Sequence, residues 1–325
     1  MTPPAVLVST ARELWRCQWR LLMGGLGPAD SQGRYERPSG AFAALPPVPA
    51  TADRPNGHVL IVGRSCPWAH RAWLTWALRQ LQGSITLLVV EPDPAAGRWC
   101  FSKPFEGCHT LKDLYRRSGA DPKARATVPA LWSCAQSRIL LNESARLIEL
   151  LNQWPAPSAA PNLAPPHKVG AIGPWRERLQ GDVNDGVYRC GFARTQAAYD
   201  EAETALFTCL EAVEATLADQ EGQGMLWLCA GEPTLADVVL FPTLIRFETV
   251  YAPLFGCSRQ PLWLFPALCR WRARFFALEG VAATCFPAAW RADYFGSLFP
   301  LHPSGIVPAG PDLVRLVNGS CPDSR

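Results

Sequence analysis

Residues 58–90 read HVLIVGRSCPWAHRAWLTWALRQLQGSITLLVV, and this stretch decides the fold of the first half of the chain. HVLIVG (58–63) is almost entirely apolar and ends in glycine, which is typical of a strand buried on both faces. Within residues 66–81 the apolar side chains recur at helical spacing, at positions 69, 73, 74, 77, 78 and 81. SITLLVV (84–90) predicts a second buried strand. Strand, helix and strand in succession form a βαβ unit.

The residues after this unit continue the pattern of an α/β domain. Residues 91–127 form a longer excursion with one short helix predicted at 109–118. TVPALWS (127–133) and RILL (138–141) predict a β-hairpin, and ESARLIELLN (143–152) has helical spacing. The order β-α-β-α-β-β-α predicts a thioredoxin-like domain over residues 58–152. Such domains carry a cis-proline at the entrance to a strand, where this chain has Val128-Pro129.

The second half of the chain reads as helical. A Pro- and Ala-rich linker (153–170) separates the α/β domain from an all-α domain over 171–295, with long helices predicted at 195–220, 234–255 and 265–278. Thr234 and Asp237 form a capping-box signature, and Pro242 predicts a kink. Residues 1–57 are expected to form a surface extension with an amphipathic helix at 9–23, and residues 296–325 a tail. The predicted fold class is thus a thioredoxin-like domain followed by an all-α domain.

Composition excludes several classes of protein. Net charge is only +3 over 325 residues, and the arginines are scattered, so nothing indicates nucleic-acid binding. The most apolar run, near 226–247, contains Glu232 and Asp237, so we expect no membrane span. Twelve cysteines occur without a C-x-x-C pair, which argues against a metal site and predicts reduced thiols. With no signal-peptide pattern at the start, we expect a cytoplasmic protein.

Cys66 differs from the other cysteines because it stands where the first strand turns into the first helix. Pro67 suits the first helical position, which places the Cys66 sulfur at the helix N-terminus, among unpaired N–H groups. This setting is expected to lower the pKa of the thiol and to make it a nucleophile. The alternative, a structural buried cysteine, fits the other eleven better. Ala69 occupies the place of a resolving cysteine, so an external thiol would have to break a disulfide on Cys66.

Several motifs of this chain resemble those of the glutathionyl-hydroquinone reductases, the Xi class of glutathione transferases, which are close to the omega class. The resemblance covers roughly residues 33–310. It rests on CPWAHR (66–71), Trp99, TVPALW (127–132), NES (142–144), GVY (186–188), GFA (191–193), TQ (195–196), RF with VY (246–251) and PSGIVP (303–308). The GVY segment and the GIVP tail are the specific part, since the CPW motif is shared with omega enzymes.

What the resemblance implies first is a glutathione site. Glutathione is the co-substrate of this family, and no metal is involved. The main chain of Val128 would pair with the cysteinyl part of glutathione. Glu143 would take the γ-glutamyl ammonium group, and Ser144 with its helix N-terminus the carboxylate. Trp99 and Arg125 match family residues that line the same groove. The alternatives are an ordinary helix cap at Glu143-Ser144 and a core aromatic at Trp99.

The resemblance also implies an aromatic substrate site between the domains. Tyr188, Tyr251 and Tyr294 match tyrosines that line the quinol pocket of the family, with catalytic roles for Tyr188 and Tyr294. A phenol can hydrogen-bond a quinol oxygen and assist its tautomerisation. The chain departs from the family in having Asp293 and Phe295 on either side of Tyr294, where the family usually has His and Tyr. This departure bears on the role of Tyr294. The Phe-Arg-x-x-Ile stretch of the family is also missing after Pro38-Ser39, where Gly40-Ala41-Phe42-Ala43 stands, and that departure bears on the substrate range.

The resemblance implies a reductase that cleaves glutathionyl-hydroquinones through a Cys66–glutathione mixed disulfide. It also implies a homodimer. An omega-like thiol transferase or dehydroascorbate reductase is an alternative that needs Cys66 but not the tyrosines. A non-catalytic binding protein of the same fold is a third reading, and it would form no glutathione adduct on Cys66.

Overall fold

A six-stranded mixed sheet forms the centre of the first domain. The computed structural model describes residues 4–50, 57–93, 98–297 and 301–319. Across the sheet the strand order is β4-β3-β2-β1-β5-β6. The strands are β1 His58–Gly63, β2 Ile85–Asp93, β3 Arg98–Phe105, β4 Cys108–Thr110, β5 Ala130–Ser133 and β6 Arg138–Leu141.

The central strands pair as the βαβ pattern predicts. Strand β1 runs parallel to β2, with Leu60 opposite Leu87, and antiparallel to β5, with Leu60 opposite Leu131. The helices of this domain are α2 Pro67–Leu78, α3 Leu111–Arg117 and α4 Ser144–Gln153. The Val128–Pro129 peptide directly before β5 is cis, as expected from the sequence. The thioredoxin-like order of elements is therefore confirmed.

Strands β3 and β4 lie in the excursion of residues 91–127, for which the sequence predicts no strand. In β3 and β4 the hairpin turn is formed by Glu106 and Gly107, both at positive φ, between the paired residues Phe105 and Cys108. This pair of strands lies at the edge of the sheet and carries charged side chains and Pro104. Such strands do not show the continuous apolar run of a buried strand, which is why the pattern did not reveal them.

The second domain is helical throughout its described residues. Its helices are α5 Val169–Arg178, α6 Gly186–Phe192, α7 Gln196–Gly222, α8 Leu235–Leu244, α9 Ala252–Phe255, α10 Pro266–Phe276 and α11 Pro287–Ser297, and α12 Leu313–Gly319 lies in the tail. The capping box of Thr234 and Asp237 begins α8 as predicted. The single helix expected over 234–255 is divided: α8 ends two residues after Pro242, and a π-helical turn, Phe247–Tyr251, leads into α9.

The run Leu235–Phe255 has a mean hydropathy of 1.4, and 78% of its most apolar 18-residue window is buried inside the protein. Because it is buried, this run forms the core of the helical domain. Its side chains meet those of α2 and α10, so the two domains share one continuous apolar core.

The N-terminal extension begins with α1 Ala5–Leu26, longer at both ends than the predicted helix. After α1 the chain runs across both domains. The N–H of Arg194 donates to Gly33 O at 3.0 Å, and Phe42 and Asn142 exchange two hydrogen bonds of 2.7 and 2.9 Å. The extension therefore joins the two domains and does more than cover their surface.

Candidate active site

Cys66 is the N-cap residue of α2, in the turn that follows β1. Its N–H donates to Gly63 O at 3.3 Å, and its own carbonyl accepts the first helical hydrogen bond, from His70 N–H at 3.0 Å. The thiol faces the residue before the cis-proline, with 3.5 Å between Cys66 Sγ and Val128 O. Cys66 is half-buried and lines a cavity of about 240 Å³ between the domains.

The pKa of this thiol differs from the sequence-based expectation. Burial raises the pKa of the Cys66 thiol above its ordinary value, although the N–H groups of Ala69 and Trp68 and the charges of Arg246 and Arg37 lower it. The helix N-terminus thus acts in the expected direction, but it is outweighed by desolvation. The prediction of a lowered pKa is therefore wrong, because sequence cannot show how deeply the sulfur is enclosed.

The expected glutathione residues line a second, polar cavity of about 120 Å³ that adjoins the first. Val128, Glu143, Ser144 and Arg125 all line it, and Arg125 also lines the first cavity. Glu143 is the N-cap of α4 but makes no side-chain capping bond, and the buried Ser144 hydroxyl has no partner among the described residues. An ordinary helix cap would use these groups. An unpartnered hydroxyl at a helix N-terminus instead fits the carboxylate of a ligand.

Trp99 on β3 lies across the first cavity from the helical domain, half-buried against the core. Its ring lies directly over Gly63: a Cβ at that glycine would come within 2.6 Å of the indole. The close approach explains the glycine at the end of β1, and it fixes the ring beside Cys66. Trp99 therefore borders both the core and the cavity.

The three expected tyrosines form one cluster. Tyr188 of α6 and Tyr294 of α11 line the first cavity, and their hydroxyl groups share a short hydrogen bond. Tyr251 is fully buried behind them and does not line the cavity; its hydroxyl lies 3.4 Å from that of Tyr294, and its ring packs against that of Tyr188. Burial raises the pKa of Tyr188 and of Tyr294 well above the ordinary value. Both phenols are therefore protonated near neutral pH and can donate hydrogen bonds.

The departure from the family pattern lies in the same cavity. Asp293 lines it and accepts a short hydrogen bond from Ser65, the residue before the thiol. Phe295 is buried and packs edge-on against His302 of the tail. A carboxylate thus lines the same cavity as the phenols.

Sequence reasoning missed two side chains of the extension, Tyr35 and Arg37. Tyr35 lines both cavities, and the Arg37 guanidinium lies 3.5 Å from the centroid of the Trp68 ring. Arg37 also lies 3.9 Å from Glu143 and 3.7 Å from Asp185, so it connects the extension to both domains. The segment RYERPSG that carries them has no periodicity, and only tertiary contacts reveal its place in the site.

The other thiols of the described residues, Cys100 on β3 and Cys108 on β4 among them, line neither cavity. Across the described ranges all eleven cysteines are free, and Cys321 lies outside those ranges. In the same part of the chain no group of three His, Cys, Asp or Glu side chains is arranged to hold a metal ion.

A cis-proline beside a helix-capping thiol, followed by an all-helical domain, defines the class of the glutathione transferases. Two family models match the chain, "Glutathione S-transferase, N-terminal domain" over residues 65–154 and "Glutathione S-transferase, C-terminal domain" over residues 196–294. The family resemblance found in the sequence can therefore be tested against individual relatives.

Three similar proteins indicate the same family. The chain is 34% identical over 266 residues to the glutathionyl-hydroquinone reductase PcpF of Sphingobium chlorophenolicum, covering 79% of this chain and 83% of that one. The crystal structure of glutathione S-transferase Xi from Phanerochaete chrysosporium matches with a TM-score of 0.79 and 30% identity, over 87% and 94% of the two chains. The glutathione-bound structure of YqjG from Escherichia coli K-12 matches with a TM-score of 0.72 and 31% identity, over 80% and 87%. The chain belongs to the Xi-class glutathione transferases, the family of the glutathionyl-hydroquinone reductases.

Proposed function

We propose that this enzyme reduces glutathionyl-hydroquinones with glutathione, through a mixed disulfide on Cys66. One observation carries the proposal: the thiol opens into a cavity whose opposite wall bears two protonated phenols, beside a polar cleft with an unpartnered buried hydroxyl at Ser144. Cys66 and a glutathione cleft are needed equally by the thiol-transferase alternative. The phenols are needed for a quinol.

The first step is an attack by the Cys66 thiolate on the sulfur of the glutathionyl-hydroquinone. The new S–S bond forms as the bond between sulfur and the ring carbon breaks. The electron pair of that bond leaves with the ring carbon, which takes up a proton and yields the free hydroquinone. Cys66 is left as a disulfide with glutathione. A second glutathione thiolate then attacks the glutathione sulfur, so GSSG departs and the Cys66 thiolate returns.

The roles of the other site residues follow from their chemistry. Tyr188 and Tyr294 would donate hydrogen bonds to the quinol oxygens and assist the tautomerisation that makes the ring carbon a leaving group. Tyr251 would support them from behind as part of the substrate wall. Val128 would pair with the glutathione main chain, and Glu143 and Ser144 would bind its γ-glutamyl end.

Trp99 and Arg125 would complete the glutathione groove. Arg125 borders both cavities and can face either carboxylate of the tripeptide, and Trp99 would cover the sulfur from the β3 side. We further infer a cytoplasmic enzyme, since the mechanism consumes glutathione and needs reduced thiols. A homodimer and the domain bounds 58–152 and 171–295 remain predictions from the sequence.

The test is an assay of a glutathionylated hydroquinone with glutathione, following hydroquinone by chromatography and GSSG through a coupled reductase. One GSSG per hydroquinone is expected, and Cys66→Ser should lose more than about a thousandfold in rate, since a serine hydroxyl remains protonated. Cys134→Ser is the matched control, because Cys134 is also half-buried but lines neither cavity. Turnover of dehydroascorbate or a bulky disulfide with none of the glutathionyl-hydroquinone would favour the thiol-transferase alternative and refute the proposal.

A further inference from the structure

Arg246 is a fully buried cation at the junction between α8 and the π-helical turn. Its Nη1 donates to Pro242 O and to His70 Nδ1, both at 2.8 Å, and its guanidinium lies 4.1 Å from the centroid of the Trp290 ring. Its Nε and Nη2 atoms have no hydrogen-bond partner, and no carboxylate of the described residues lies within ion-pair distance. The guanidinium is therefore held only by neutral groups.

His70 does not share this charge. Since arginine can only donate, His70 Nδ1 must accept, and the ring proton stands on Nε2, which lies 2.8 Å from Thr284 Oγ1. The Thr284 hydroxyl in turn donates to Val281 O at 2.7 Å. Burial, with a smaller effect of the nearby Arg246, holds the pKa of His70 well below its ordinary value. The imidazole is thus neutral, and Arg246 is the cation of this network.

Two other arginines are buried in the described part of the chain. Arg71 donates to the neutral Gln180 Oε1 at 2.8 Å, and Arg272 is paired with a carboxylate, although its Nε and Nη2 atoms also lack a partner in that part. Arg272 of α10 donates to both carboxylate oxygens of Glu248, at 2.9 and 2.8 Å. An isolated buried charge is costly, and proteins usually pair it as here. A cation–π contact with Trp290 offsets part of that cost for Arg246. A buried charge without a carboxylate partner, next to a cavity that holds a thiol, is a reason to look for a functional role.

The contacts of Arg246 lead through His70 to Cys66. The main chain of His70 donates to the Cys66 carbonyl, so the Arg246–His70 bond holds the turn of α2 that carries the thiol. Arg246 also lowers the pKa of Cys66 and that of Tyr294 against the effect of burial. We propose that Arg246 is a positioning residue for the thiol chemistry, whose unpaired positive charge stabilises the Cys66 thiolate from behind α2. The inference rests on Cys66 being the reactive thiol of the proposed function.

Other groups also face the Cys66 sulfur, and they too can affect its pKa. Charged or titratable side chains approach it from the extension, from the segment before the cis-proline, from α6, from the turn after α8 and from α11: Tyr35, Arg37, Arg125, Tyr188, Tyr251, Asp293 and Tyr294. Arg125 is exposed. The phenols are neutral, and Arg37 is partly exposed and engaged with carboxylates. Arg246 is therefore the cation near the thiol that water and salt screen least.

The experiment measures the Cys66 thiol directly, without any quinol. Wild-type protein is treated with iodoacetamide at a series of pH values, and alkylation of the Cys66 peptide is followed by mass spectrometry. Arg246→Gln removes the charge but keeps an N–H donor within reach of His70. Arg272→Gln makes the same change at the paired buried arginine. Circular dichroism and thermal melting report whether each variant is folded.

For Arg246→Gln we expect the alkylation midpoint to rise by about one pH unit, which means about tenfold less thiolate at neutral pH. Arg272→Gln is expected to lower the melting temperature but to leave the midpoint unchanged. A folded Arg246→Gln with the wild-type midpoint would overturn the proposal. Should this variant not fold, Arg246→Met serves with the same two outcomes, because an apolar side chain is often tolerated at the site of a buried charge.

The outcome separates this inference from the proposed function. If the wild-type enzyme does not turn over glutathionyl-hydroquinones but the midpoint shifts, Arg246 still positions the thiol and the substrate assignment alone is wrong. If the wild-type enzyme turns them over and the midpoint stays, the role of Arg246 is refuted and the proposed function stands.

Discussion

Tyr188→Phe tests the substrate assignment most sharply, because it removes one hydroxyl and nothing else. That hydroxyl lines the cavity beside Cys66, and it is hydrogen-bonded to Tyr294, which lines the same cavity. A positioned donor to a developing charge is worth about 10²–10³ in rate when it acts alone. Tyr294 remains as a second donor after the substitution, so we expect a smaller loss for glutathionyl-hydroquinones, about ten- to a hundredfold.

The arrangement of the cluster predicts an order among its members. Tyr294→Phe should resemble Tyr188→Phe, and the double variant should lose roughly the full 10²–10³. Tyr251→Phe should cost at most a few-fold, because Tyr251 is buried behind the two other phenols and does not line the cavity. Tyr199→Phe is the matched control: its hydroxyl donates to Gly256 O at 2.6 Å, outside both cavities, and its loss should affect stability by about 1 kcal/mol without changing either rate.

Each variant is assayed twice, once with a glutathionyl-hydroquinone and once with a small glutathione mixed disulfide. Disulfide exchange requires Cys66 and the glutathione cleft but offers no quinol oxygen to a phenol. The reasoning is refuted if Tyr188→Phe lowers both rates equally, which would assign Tyr188 to the fold of the site. A wild-type rate with the quinol substrate would refute it as well.

Three further predictions concern the cavity wall, the pH profile and the helical core. Gly63→Ala should raise the KM for glutathione several-fold and destabilise the protein by about 1–3 kcal/mol, since the new Cβ would meet Trp99 at 2.6 Å. Gly170→Ala is the control, because no atom lies within 4 Å of the Cβ it would add. Equal effects of the two substitutions would contradict the reasoning. Because burial raises the pKa of Tyr188, the quinol rate should show no loss from phenol ionisation up to about pH 10, and a decline between pH 8 and 9 would count against a protonated donor. Asp237→Ala should destabilise by about 3 kcal/mol in urea melts, because four hydrogen bonds to a fully buried carboxylate are lost; a change below about 1 kcal/mol would refute this.

The predictable parts of the fold are those that local pattern determines. Strand β1 is buried on both faces and α2 follows it directly, so a short stretch of sequence contains the whole signal. The hairpin of β3 and β4 lies at the sheet edge, where charged residues and Pro104 replace the apolar run, and its turn depends on two residues at positive φ. Edge strands are held by pairing to a neighbour that the sequence does not identify, and this is why the hairpin was missed.

The same distinction explains the site. Cys66 and Ser144 each stand at the N-terminus of a helix, so a local motif was enough to select them. Arg37 in the extension and Arg246 in the core of the helical domain both lower the pKa of that thiol. They are separated from Cys66 by 29 and 180 residues in the sequence, respectively. Their effect on Cys66 depends on burial and distance, which no spacing rule contains. It follows that sequence can select the candidate nucleophile, whereas the charges that act on its pKa can be found only in the folded chain.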